Sequence, residues 1–326
     1  MASGRWLRPA GLVLLPLLSA PALAQEAYAL AGAQYTRSLD ETTYSYALEY
    51  QQNFFEHFVG TFTWLNEGHV TAHHRDGYSV QLWARWLNTP RTLTLSAGVG
   101  PYRYYDTTFG SPGVGGVTNV HNFGLLYSVA AQWYFHHPWV LQLRYNRTDT
   151  PGSIDTDTLL IGFGYQFDAA TRPGPVLAPT PYPFTSPERN EVTVLAGNSV
   201  QNNFHSPHGV AWALEYRRRL TPYIDITGTY LDEGNTHVVK RRGPAVQGWI
   251  SREFLSHRAS VGIGGGFYFA RDQDERGERT KGLGLLTMAV AYRFTEHVAT
   301  RLHWYRTLTS NGRDTDVVLL GLGYAF

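Results

Sequence analysis

The sequence predicts an all-β protein, a transmembrane antiparallel β-barrel with an internal duplication. Two tandem eight-stranded barrels are expected, with one sixteen-stranded barrel as the alternative. Three observations point there. Apolar residues alternate with small or polar ones along many short segments, the mark of strands with one greasy and one polar face. The turns between those segments are tight and long by turns, which separates a membrane barrel from a soluble sandwich. The chain also ends twice: Leu320-Gly321-Leu322-Gly323-Tyr324-Ala325-Phe326 has a near copy at Ile161-Gly162-Phe163-Gly164-Tyr165-Gln166-Phe167.

Residues 1–24 carry Arg5 and Arg8, an apolar run from Ala10 to Leu18, and Ala22-Leu23-Ala24 before Gln25. This is the pattern of a secretory signal peptide with an Ala-x-Ala cleavage site, too short to be a membrane span. A first barrel unit is expected over residues 25–167, with strands at 26–37, 42–54, 58–66, 77–87, 91–105, 123–135, 139–148 and 157–167. Within it Tyr44, Tyr46, Leu48 and Tyr50 alternate with Ser45, Ala47, Glu49 and Gln51. Tight turns at 55–57, 88–90 and 136–138 follow even-numbered strands, and long loops at 67–76 and 106–122 follow odd-numbered ones. Short turns on one edge and long loops on the other are the outer-membrane pattern. Trp64, Trp86, Trp133 and Trp139 lie near strand ends and read as an interfacial girdle.

Residues 168–189 form a linker with Pro173, Pro175, Pro179, Pro181, Pro183 and Pro187. Such a segment cannot pair as a central strand and favours an extended polyproline conformation. A closed sixteen-stranded barrel would need only a short turn there. The second unit, residues 190–326, repeats the first. A shift of 166 carries Ala47-Leu48-Glu49-Tyr50 onto Ala213-Leu214-Glu215-Tyr216, and Gln81 and Trp83 onto Gln247 and Trp249. After the following long loop the shift becomes 159, carrying Arg147-Thr148 onto Arg306-Thr307 and Asp155-Thr156-Asp157 onto Asp314-Thr315-Asp316. A repeat this long is a duplicated domain and not a solenoid.

If Val80, Leu82 and Ala84 face lipid, then Gln81, Trp83 and Arg85 face inward, as do Gln247 and Trp249. Gly98, Gly100, Gly162 and Gly164, with Gly264, Gly266, Gly321 and Gly323, share that inner face. An indole against a glycine-paved wall suits an eight-stranded interior, which side chains just fill.

Composition agrees. The chain has 27 basic and 26 acidic residues; without Arg5 and Arg8 the balance is 25 to 26, which argues against nucleic acid as a partner. Zero Cys excludes disulfides and thiolate metal sites. Tyr 21, Phe 16 and Trp 9 supply the aromatic content that girdled barrels require.

Each half resembles the small eight-stranded barrels of the Gram-negative outer membrane, the group that includes the OmpA transmembrane domain and the PagL-like lipid A deacylases. The resemblance rests on the Gly-alternating terminal strand and the turn pattern. It implies an integral outer-membrane location, contact with outer-membrane lipids and lipopolysaccharide, and recognition of the strand ending in Phe326 by the barrel assembly machinery. The deacylases carry a His-x-Ser pair late in the penultimate strand, where imidazole activates a hydroxyl. Alignment on that strand puts Arg147 and Asp149 there in the first copy, and Arg306 and Leu308 in the second. Neither pair makes a nucleophile. His303 and Ser310 are nearby but too far apart along a strand.

The richest polar cluster is expected at the outer rim: Glu67, Arg75, Asp106, Arg147, Asp155 and Asp157, with Glu233, Arg241, Asp272, Arg306, Asp314 and Asp316 in the second copy. It suits sugar, lipopolysaccharide phosphate or a hard cation; the plainer reading is a salt-bridged plug closing the barrel mouth. His69, His73 and His74 cluster, but the second copy has Asn235, Val239 and Lys240, so a solvated loop is preferred to a metal site. Glu49 and Glu215 are expected inside with Arg144 and Arg217 in reach, as interior ion pairs. No catalytic residue, cofactor or metal is assigned. The expected function is non-enzymatic, structural or surface-interacting with lipopolysaccharide or extracellular polymer. The alternatives are a sixteen-stranded porin or polysaccharide export channel, and a lipid A-modifying enzyme.

Overall fold

A computed structural model describes residues 24–109, 117–168, 170–177, 189–201, 207–236, 239–255, 257–274, 277–309 and 313–326. The expected signal peptide lies outside the described residues except for Ala24. The described residues form sixteen strands. Those of the first half are β1 (Gln25–Thr36), β2 (Glu41–Asn53), β3 (Phe58–Val70), β4 (His73–Leu87), β5 (Leu93–Phe109), β6 (Val117–His136), β7 (Trp139–Asp149) and β8 (Thr156–Gln166). The second half has β9 (Asn190–Gln201), β10 (His208–Arg219), β11 (Ile224–Asn235), β12 (Lys240–Phe254), β13 (Ala259–Asp274), β14 (Gly277–Arg293), β15 (Val298–Leu308) and β16 (Thr315–Ala325).

Each half closes on itself. β1 pairs with β2 on one side and β8 on the other, and β9 pairs with both β10 and β16. Closure leaves no unpaired edge, which backbone in lipid requires. The single sixteen-stranded barrel is therefore wrong: β8 returns its hydrogen bonds to β1 and has none left for β9. The repeated ending is the reason. In both copies the Gly-alternating strand lies against the first strand, Gly162 opposite Leu30 and Gly321 opposite Leu195. A Cβ on either glycine would sit about 2 Å from a carbonyl oxygen across the pair, 1.9 Å for Gly162 and 2.1 Å for Gly321.

Alternation sorts the side chains as expected. Leu159, Ile161 and Phe163 of β8, and Leu320, Leu322 and Tyr324 of β16, stand exposed on the outer face. Trp83 and Trp249 are buried inside. Each indole lies against its cross-strand glycine, Gly98 or Gly264, where a Cβ would come within 2.3 Å and 2.6 Å of the ring. The interior is filled. A void between Glu49, Val59, Trp83, Ala130 and Gln132 of the first barrel measures about 10 Å³, room for one water.

Two expectations need correction. The long loops placed at 67–76 and 106–122 are largely strand: β3 and β4 run on to Val70 and His73, and β5 and β6 to Phe109 and Val117. Beyond the bilayer both faces of a ribbon meet water or polar side chains, so period-two alternation fades although the ladder continues. The linker is also less free than a tether. Val176 O accepts a bond from Asn53 Nδ2 at 3.0 Å and Gly174 O one from Gln166 Nε2 at 3.2 Å, so residues 174–176 lie across the base of the first barrel. Polar groups at a barrel foot need partners, and the linker carbonyls supply them. Residues 178–188 are outside the described residues.

Candidate functional site

The twelve residues expected to form rim clusters separate onto two faces, and strand parity is the cause. On β7, Arg144 points inward, so Arg147, an odd number of residues later, must point outward. Glu67, Arg75 and Asp106 are inside the mouth of the first barrel, as are Glu233, Arg241 and Asp272 in the second. Arg147 with Asp157, and Arg306 with Asp316, lie on outer surfaces.

Inside the first mouth Arg75 forks onto Glu67, Nε to Oε2 at 2.5 Å and Nη2 to Oε1 at 2.8 Å. Arg75 Nη1 also donates to Thr150 at 2.8 Å and Ser153 at 3.0 Å, and Nη2 to Thr156 at 2.8 Å. Tyr102 OH donates to Glu67 at 2.8 Å. The arrangement is a bidentate pair with its remaining lone pairs satisfied, the condition under which buried charge is tolerated. The second mouth is looser. Arg241 Nη1 is 3.5 Å from Glu233, and its Nε is 3.5 Å from Asp272. Asp272 also receives Lys281 at 2.8 Å and Arg313 at 3.2 Å.

Deeper inside, Glu49 is paired with Arg144 and Glu215 with Arg217, at 3.0 Å in the second case. The position of Arg144 is taken in the second copy by His303, whose Nδ1 is 2.7 Å from Tyr305 OH. His303 is fully buried within the barrel and is barred from lipid; Ser310 is outside the described residues. Arg147 and Asp149, and Arg306 and Leu308, the positions aligned with the deacylase pair, lie on the outer face of their barrels.

The three histidines are in a β-hairpin and not in a loop. His69 and His74 are cross-strand partners with ring centroids 4.0 Å apart, and His73 Nδ1 lies 2.7 Å from Asp106. No group of metal-ligating residues occurs among the described residues.

The outer charges of the second copy have a role that sequence reasoning missed. Arg306 bridges Asp316 at 2.9 Å and Asp76 of the first barrel at 3.0 Å. Around it Trp64, Tyr78 and Tyr105 of the first barrel pack with Leu286, Met288, Trp304 and Leu308 of the second. The indoles of Trp64 and Trp304 are 4.4 Å apart, and His121 is 3.6 Å from Asp314. Trp64 is thus buried between barrels and is no part of the girdle; Trp86, Trp133 and Trp139 remain exposed on the belt. At the base Phe254 meets Tyr165 and Phe167, each at 5.3 Å, and Arg252 pairs with Asp168. Strands tilted by ~35–45° circle the barrel as they rise, so the tops of β3–β5 stand over the foot of β8. One flank of the first barrel thereby meets one flank of the second from rim to base. The missed signal is Asp76: a charge at an outward-facing position demands a partner.

No family model matches the chain, and no curated protein matches it. Solved structures do resemble it. The N-terminal β-barrel domain of Pseudomonas aeruginosa OprF is 10% identical, covering 45% of this chain and 100% of that one, with a TM-score of 0.36. Ail, the attachment invasion locus protein of Yersinia pestis, is 15% identical over 44% of this chain and 97% of its own, with a TM-score of 0.34. Neisserial surface protein A is 14% identical over 44% and 97%, with a TM-score of 0.33. The fold is a closed antiparallel eight-stranded β-barrel, built twice. The apolar belt around both units is the surface a transmembrane β-barrel presents to lipid.

Proposed function

We propose that the protein is a non-conducting, non-enzymatic structural element of the outer membrane, made of two complete barrels. One observation carries this reading: both interiors are occupied by their own side chains. Gln81 bonds Leu126 O and Ser128 across the first barrel, and Gln247 bonds Leu285 O and Thr287 across the second. The mouths above are held by the Arg75 and Arg241 networks, which use the rim charges on each other and leave them unavailable to a ligand. The strands that rise beyond the bilayer, β5 with β6 and β13 with β14, are the surfaces offered to lipopolysaccharide or extracellular polymer. The final strand ending in Phe326 is the element proposed to engage the barrel assembly machinery. Planar-bilayer recording of the purified full chain tests the reading. It predicts a membrane without stable unit steps, and reproducible steps of porin size would refute it.

A further inference from the structure

The contact between the two barrels is heterologous. A flank of the first barrel built from β3–β5 (flank A) meets a flank of the second built from β14–β15 (flank B). The duplication gives each barrel both flanks. The chain uses A of the first and B of the second, and leaves B of the first and A of the second uncovered. A heterologous contact that does not close on itself repeats, as a ring or a row.

The unused flanks differ from the used ones in a coordinated way. On flank A of the first barrel, Asn66, His74, Asp76 and Tyr105 stand where the second barrel has Asp232, Lys240, Arg242 and Arg271. Arg103, which packs over Tyr105 on the same face, stands where the second barrel has Phe269, so with His neutral the net charge of that flank changes from 0 to +2. Arg242 and Arg271 are direct cross-strand partners, and both are exposed. Like charges so placed repel unless an anion comes between them. On flank B of the first barrel, Asp149 stands where the second has the apolar Leu308. Together with Arg37, Arg147, Asp155 and Asp157 it leaves that flank at −1. Tyr78, Tyr105 and Phe254 of the joint give way to Pro244, Arg271 and Asn88, but four aromatic anchors remain: Tyr230 and Tyr145 occupy the places of Trp64 and Trp304, and at the base Tyr324 and Phe326 replace Tyr165 and Phe167. All four are exposed.

We propose that flank A of the second barrel docks on flank B of the first barrel of another copy of this chain. The result is a head-to-tail array in the plane of the membrane. Arg242 and Arg271 meet the acidic flank carrying Asp149 and Asp157, while the internal joint keeps its Asp76–Arg306 pair. Charge complementarity favours a neighbouring copy, and the like signs that an A-to-A or B-to-B pairing would bring together disfavour those contacts.

The chain has no Cys, so thiol cross-linking reads the contact directly. Full-length protein carrying Tyr145→Cys and Tyr230→Cys together is treated with a short bismaleimide in intact outer membranes. Trp64→Cys with Trp304→Cys serves as the internal control. The expected result is a ladder of dimers and higher species from the 145/230 pair, almost none from either single variant, and from the 64/304 pair a monomer without dimers that migrates faster after denaturation because its loop is closed. Arg242→Glu with Arg271→Glu should abolish the ladder, and adding Asp149→Arg should restore part of it. Heat-modifiable migration confirms that each variant is folded. Monomer alone from the folded 145/230 variant overturns the proposal, as do dimers from a single variant, which mean an isologous contact. A ladder unaffected by Arg242→Glu with Arg271→Glu, with loss only of co-purifying lipopolysaccharide, also overturns it by making these arginines a lipid-phosphate contact.

Discussion

The two barrels agree inside and differ outside. Trp83 bonds Thr61 at 2.9 Å and Trp249 bonds Thr227 at 2.9 Å, each indole on its glycine. A filled eight-stranded interior has no slack, so the large side chain and the bare backbone facing it must come as a pair. Where residues do change inside, the network is rebuilt. Glu26 is held by Gln51 at 2.9 Å and Asn53 at 3.1 Å, whereas the matching Glu191 is held by Arg301. The outer faces follow their neighbours. Arg306 is buried against the other barrel, but its twin Arg147 remains about a third exposed, at 31%. Burial between barrels decides what the same arginine is worth.

The largest effect is expected at the first mouth. Glu67→Ala leaves Arg75 buried and unpaired, and losing one partner of such a pair costs about 3–5 kcal/mol. Glu233→Ala should cost distinctly less, because Arg241 sits 3.5 Å away and still has Asp272. Urea midpoints of the two variants in the same lipid or detergent check the ranking, and equal losses would mean that the two mouths are locked alike. Next comes the outer pair. Arg306→Ala strands Asp76 between the barrels and should cost ~3 kcal/mol or more. Arg147→Ala breaks an exposed pair and should cost at most about 1 kcal/mol. Limited proteolysis within 178–188 followed by co-purification reads this separately: the halves should stay together with Arg147→Ala and part with Arg306→Ala.

Much of this was legible beforehand, because a barrel in lipid permits few answers. Closure, tight turns and the inward Trp–Gly pairs all followed from period-two alternation and from the repeated ending at Phe167 and Phe326. The rim is one cluster only by height along the strands; parity divides its twelve charges, and the odd spacing of Arg144 and Arg147 places them on opposite faces. The upper reaches of β3–β6 were hidden because polar residues on both faces give no alternation to read. The joint between barrels was hidden for a different reason. A tryptophan facing lipid and one facing another barrel carry the same local pattern, and only the outward Asp76 beside Trp64 marked the difference.

Producing the halves apart tests most directly whether each barrel is complete in itself. Residues 25–167 and 190–326, each placed behind a secretory signal, should enter the outer membrane separately. Each should show heat-modifiable migration and protection from protease over its strands. A half that stays unmodified by heat and fully digestible, while the intact chain is protected under the same conditions, would contradict two self-closed barrels.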